Sequence, residues 1–335
     1  MTVRFLEGRR QQFFAVALVA LTLVSAGMVT ACGGVAGGGD SGKKKVAVLL
    51  WSQGFEFMVA LGQGIKDEAK KLDVEVTVLD AQADSANQIS QIEDQIAAGV
   101  DGFVLSPVNS EELVPGVERI NEADIPVVTV DSIMAGGKVD SAIAYDNVAA
   151  GEMGATYLGE KLMGGKGTAL EYEGAQGAFH AIRRGDGFKK GIAAFPDIKR
   201  ISRDSNWTAD KALTITADVL SSDDSITGLF SHNDEMIKGI VSGLRQIGKD
   251  AKAGQDGHVA IVGVDGTPLA LDRIRDGSQD ATVDQDPFVM GSLAMASLVK
   301  VLNGEKLPKE QLTPPKMITP ENVDDPKLWG NKFKG

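Results

Sequence analysis

The chain of 335 residues has a single cysteine, three histidines and only 5% aromatic residues, and its acidic side chains outnumber the basic ones to give a formal net charge of −12. Each shortage excludes something. A lone cysteine forms no intrachain disulfide and no cysteine-rich metal site. His180, His232 and His258 lie far apart, without the paired spacing that zinc sites use, so neither a metal nor a cofactor is expected. An acidic field repels phosphate backbones and anionic head groups, which removes nucleic acid from the expected partners. Asp284 and Asp286 lack the glycine and the later glutamate of a calcium loop. After residue 31 no apolar run approaches the roughly 17 residues of a membrane span. What remains is 43% hydrophobic content, enough for real cores in about two domains.

The apolar run that does occur stands at the N-terminus. Arg4, Arg9 and Arg10 precede Phe13 to Val29, and Val29-Thr30-Ala31-Cys32-Gly33 follows. A basic start, an apolar stretch and small residues before a cleavage point are what export requires, so residues 1–31 read as a signal peptide. Val29-Thr30-Ala31-Cys32 resembles a bacterial lipobox. The resemblance implies that the Cys32 thiol takes a diacylglycerol and becomes the new N-terminus, anchoring the protein outside the cytoplasm on the cell membrane. Residues 32–43, opening Cys32-Gly33-Gly34 and rich in glycine, cannot bury apolar surface and read as a tether. Gly37 to Lys43 has the spacing of a phosphate loop, but Lys44 stands where serine or threonine is needed and a strand follows instead of preceding.

From Lys45 onward, short β-branched runs alternate with longer amphipathic stretches. Strands are expected at 46–50, 74–79, 102–105, 127–130, 141–144, 168–172, 226–230, 259–264 and 281–283, with helices at 60–72, 88–98, 151–162, 185–194, 208–220, 235–247 and 287–302. That alternation predicts an α/β protein with two parallel sheets covered on both faces. Ligands of open α/β sheets bind at the carboxyl ends of the strands. Trp51, Asp131, Asn233, Asp265 and Gln285 stand just after such runs. A polar residue there is also a common helix N-cap, so one alone says little. Five at the same topological position point to a binding site.

Over residues 44–320 the chain resembles the ribose-binding-protein-like type I periplasmic binding proteins of sugar ABC importers. The resemblance rests on Pro126-Val127-Val128-Thr129-Val130-Asp131, Asp146-Asn147-Val148, Arg183-Arg184-Gly185-Asp186-Gly187-Phe188, Ser231-His232-Asn233-Asp234-Glu235-Met236, Val262-Gly263-Val264-Asp265-Gly266-Thr267-Pro268 and Ala281-Thr282-Val283-Asp284-Gln285. It implies two doubly wound lobes joined by a three-segment hinge: 44–145 plus 286–312, and 146–285 plus 313–335. It also implies that Asp131, Arg184, Asn233, Asp265 and Gln285 hydrogen-bond sugar hydroxyls, with Phe57, Met58 and Trp207 against the ring. The chemistry suits that role, because carboxylates, amides and a guanidinium meet hydroxyls that both donate and accept, while aromatic faces cover C–H surfaces.

Two departures shape the expected ligand. Phe55-Glu56-Phe57-Met58 stands where the family commonly has Asn-Pro-Phe-Phe, and Ser132 stands where ribose-specific members have arginine. The smaller Ser132 leaves room for a sugar or polyol larger than ribose or differently oriented. The implied protein is a monomer without enzymatic activity that passes its ligand to an ABC permease. A sensory module presenting the same lobes to a chemoreceptor or membrane kinase is the alternative. The DNA-binding repressors of this fold need a basic helix-turn-helix where this chain has signal and tether, and no nucleophile elbow accompanies His232 for hydrolysis.

Overall fold

The computed structural model describes residues 42–333; the stretch read as a signal peptide, Cys32 and most of the stretch read as a tether lie outside them. Five strands, β1 (Lys45–Leu50), β2 (Glu75–Asp80), β3 (Gly102–Leu105), β4 (Val127–Asp131) and β5 (Ser141–Tyr145), form one sheet. Five more, β6 (Lys166–Glu173), β7 (Asp197–Asp204), β8 (Ile226–Ser231), β9 (Ala260–Asp265) and β10 (Ala281–Asp284), form a second. The chain then returns to both: β11 (Glu310–Thr313) joins the first sheet beside β5 and β12 (Lys316–Ile318) joins the second beside β10. The orders are β11-β5-β4-β3-β1-β2 and β12-β10-β9-β8-β6-β7, parallel except for the β10–β12 pair. Thr313, the first residue of the second lobe by the sequence boundary, pairs instead with Tyr145 in the first sheet, because the β11 ladder runs one residue further.

The central strands are β-branched and buried along their length; β4 and β5 have no exposed residue. Such strands need cover on both faces, which the helices supply. These are α1 (Glu56–Lys71), α2 (Ser85–Ala97), α3 (Val114–Glu122), α4 (Asn147–Tyr157), α5 (Phe179–Ile192), α6 (Ala209–Ser222), α7 (Asp234–Gln246), α8 (Pro268–Asp276), α9 (Pro287–Leu302) and the short α10 (Trp329–Lys332). A π-helical turn, Leu158–Leu162, extends α4. Several helices begin earlier than apolar periodicity indicates, since a polar first turn is held by a cap: the Asp146 carboxylate accepts the Ala149 N–H at 3.0 Å and starts α4.

Three helix pairs, α1–α9, α4–α5 and α6–α7, meet through glycine. A β-carbon on Gly187 would lie 2.1 Å from the Val148 carbonyl oxygen, and one on Gly151 would lie 2.1 Å from the Arg184 carbonyl oxygen, so the α4 and α5 backbones touch at reciprocal glycines. This contact positions α5, the helix that carries Arg184. Gly187→Val is therefore expected to push the helices apart and destabilise the protein by about 1–3 kcal/mol or more. Thermal denaturation checks this; an unchanged melting temperature would show that the pair yields without strain.

Candidate functional site

The carboxyl ends of strands from both sheets open onto one cleft of about 810 Å³. From the first lobe come Trp51 after β1, Phe57 and Met58 in the first turn of α1, and Asp131 at the end of β4. From the second come Arg184, Trp207, Asn233 and Asp265, and Gln285 lies on a crossing segment. All eight residues singled out for ligand contact thus line one cavity.

Three of them, Asp131 (φ +74°), Trp207 (φ +63°) and Asp265 (φ +124°), have the positive φ that non-glycine residues seldom adopt. Strain of this kind persists only where surrounding contacts over-determine it, and it concentrates at ligand clamps. The helix-cap explanation applies to one strand-end residue of the five. Asn233 caps α7, its Oδ1 accepting the Met236 N–H at 2.9 Å, which leaves its amide N–H groups for other partners. No helix follows Asp131 before α4, α8 is capped by Thr267, and α9 is capped by Asp286.

Arg184 organises the floor. Its side chain is 4% exposed, and Nε donates to Asn147 Oδ1 at 2.7 Å, Nη1 to the His232 carbonyl and Nη2 to Gln285 Oε1 at 2.6 Å. Two of its five N–H donors stay uncommitted. Asp265 Oδ1 is 3.8 Å from Nη1, and the guanidinium lies 5.7 Å from the Tyr145 ring centroid and 6.0 Å from that of Trp207. Gln285 passes the chain on, Nε2 donating to Asp131 Oδ1 at 3.0 Å. Burial pushes the Asp131 carboxyl up, but His180, Arg184 and Gln285 together hold it below the ordinary aspartate value, so it is ionised. Asp265 goes the other way: burial raises it well above the usual range, with Arg184 opposing and Asp234 adding to the rise.

Met58 lines the cleft from within the core. It is 1% exposed within the core, and its sulfur takes the Ser106 hydroxyl at 3.6 Å, so it backs the cleft wall. Trp51 and Phe55, with ring centroids 4.5 Å apart, line the same wall. Phe55, Phe179 and His180 reach the cleft without having been singled out from the sequence. A signal for His180 existed: it precedes Arg184 by four residues, one helical turn on the same face. At the hinge, the Tyr145 hydroxyl donates to the Asp284 carbonyl at 2.9 Å. Burial first, and the neighbouring Asp286 second, push the Asp284 carboxyl up to about 7. Its Oδ1 has no hydrogen-bond partner among the described residues.

Two α/β lobes with a polar cleft at their facing strand ends define a solute-binding protein. Residues 46–306 match the periplasmic binding protein domain, and the chain belongs to that family. It is 36% identical over 285 residues to the ribose import binding protein of Bacillus subtilis, covering 84% of this chain and 90% of that one. It is 29% identical over 310 residues to the xylitol-binding protein of Mycolicibacterium smegmatis, covering 92% and 86%. The crystal structure of an ABC transporter periplasmic solute binding protein from Actinobacillus succinogenes with bound D-allose superimposes with a TM-score of 0.78 at 28% identity, covering 84% of this chain and 100% of that one. These relatives are binding proteins, not enzymes.

Proposed function

We propose that this protein captures a neutral monosaccharide or polyol between its lobes outside the cytoplasm, held to the membrane by lipid on Cys32, and delivers it to an ABC import permease. The observation that carries this reading is the set of polar side chains converging from both lobes on one cleft: Asp131 from the first, Arg184, Asn233 and Asp265 from the second, Gln285 between them. Each has hydrogen-bonding capacity beyond its protein partners, and Trp51, Phe57 and Trp207 supply faces for C–H surfaces. Arg184 is opposed by two carboxyls, so the floor offers no surplus positive charge to a sugar phosphate or sugar acid. Ribose, xylitol and D-allose, named with the three relatives, are all neutral polyhydroxyl compounds. Contacts from both lobes favour closure about the hinge when a ligand binds, and the closed form is what a permease recognises.

Thermal shift against pentoses, hexoses, inositols and alditols tests the ligand class. A ligand at ~100 times its dissociation constant stabilises by about 2.7 kcal/mol, a rise of several degrees. A panel with no rise would contradict the reading. For the anchor, Cys32→Ser is expected to move the protein out of the membrane fraction or leave an uncleaved precursor; lipid labelling of the variant equal to that of the wild type would contradict it.

A further inference from the structure

His180 occupies the second position of α5 and lines the cleft together with Arg184, one turn further along. Its ring reaches the opposite lobe. Nε2 lies 3.1 Å from the Asp131 carbonyl oxygen, 3.3 Å from the Ser132 hydroxyl and 3.5 Å from Asp131 Oδ2. A carbonyl oxygen only accepts, so the shortest of these contacts puts a proton on Nε2. The partner is the residue whose backbone is turned to positive φ at the end of β4. Asp131 is thereby held on two sides, its Oδ1 by Gln285 at the hinge and its main-chain carbonyl by His180 across the cleft, with Oδ2 lying 3.5 Å from the same ring nitrogen. A carboxylate has about four acceptor positions, so this grip leaves acceptor positions with a fixed direction toward a ligand. Fixing that direction before binding is preorganisation, and it discriminates between hydroxyls of different stereochemistry.

We propose that His180 and Ser132 form a cross-cleft clasp that selects the ligand: the imidazole aims the Asp131 carboxylate and bounds the cleft at that end, so that ring size and the configuration of the hydroxyl meeting Asp131 decide which neutral polyhydroxyl compound is held. This inference rests on the sugar or polyol reading of the cleft and adds the residues that set its choice. A histidine serving only to pack α5 would affect all ligands alike. A selecting histidine changes their order.

The test is calorimetric titration of the full-length protein with D-ribose, D-allose and xylitol, in the wild type and in His180→Ala, His180→Gln and Ser132→Ala, with melting temperatures taken alongside. In His180→Ala the ligand preferred by the wild type is expected to lose tenfold or more in affinity while the others lose less, so that the preference narrows or reverses. His180→Gln, which keeps an N–H donor near the place of Nε2, restores the original order. Ser132→Ala shifts the order as well, and it carries the test together with His180→Gln if the alanine variant at 180 does not fold. Affinities that fall by one common factor, or do not change, would overturn the proposal and leave the sugar reading standing. A wild type that binds none of the three nor any member of the wider panel overturns that reading, and the proposal with it.

Discussion

Arg184→Ala is expected to lower affinity for the captured sugar or polyol more than a hundredfold and to reduce stability at the same time. The side chain is 4% exposed and donates to Asn147, the His232 carbonyl and Gln285, so its loss strands three acceptors and removes the cation beside Asp265. Its two uncommitted N–H groups are available to a ligand, and each charge-assisted bond contributes about 1.5–3 kcal/mol. Two such bonds exceed the roughly 2.7 kcal/mol of a hundredfold change. Each buried acceptor left without its donor costs about 1–3 kcal/mol, so the three stranded acceptors together place the expected loss at about 3 kcal/mol or more. Arg184→Lys keeps the charge without the planar fork and should fall between the two. Calorimetric titration with parallel melting curves measures both effects, and undiminished affinity in Arg184→Ala would place the ligand elsewhere.

The second large effect is a dependence of stability on pH that originates at the hinge. Asp284, whose carboxyl is pushed up to about 7, takes up a proton on folding between the ordinary aspartate value and about 7. Its contribution is fully present below the ordinary aspartate value near 4 and is lost as the pH rises through about 7, after which the curve levels. Each tenfold change in proton affinity is worth about 1.4 kcal/mol, so the interval corresponds to a loss of up to about 4 kcal/mol. Asparagine imitates the protonated carboxyl in size and neutrality. Asp284→Asn should therefore melt well above the wild type at pH 8, with the difference shrinking toward zero near pH 4. A constant difference across that range would show that Asp284 does not titrate in this window.

Much of the fold was legible because the central strands are buried on both faces and read as unbroken β-branched runs: Val127–Val130 and Ala281–Val283 are visible without any partner in view. The edge strand β7 was not. Asp197-Ile198-Lys199-Arg200-Ile201-Ser202-Arg203-Asp204 is charged along its length, since it pairs only with β6 and faces water, and charge is how an edge resists pairing with another chain. β11 and β12 are four and three residues long, too short to show a period. The helices α3 and α8 are nine residues each and start with proline in the first turn, which reads as a breaker unless the cap is known.

The site divides in the same way. Asp131, Asn233, Asp265 and Gln285 were visible because parallel topology sends strand ends to one edge of each sheet, a consequence of order alone. His180 depends on two further facts, the face that α5 turns to the cleft and the approach of the opposite lobe to within 3.1 Å. The four-residue spacing from Arg184 indicates the first once α5 is known to begin at Phe179, but the second is not written in local pattern. Met58, in the first turn of α1, lines the cleft while its sulfur accepts the Ser106 hydroxyl, a contact that only the packing reveals.

A crystal structure of the protein with the sugar or polyol that gives the largest thermal shift would test most directly whether one solute is captured between the lobes. The expected result is a single molecule in the cleft, bonded at once to Asp131 of the first lobe and to Arg184 of the second, with an aromatic face of Trp51, Phe57 or Trp207 against its carbon skeleton. Density for the ligand on the outer surface, or on one lobe without contact to either of those two residues, would contradict it.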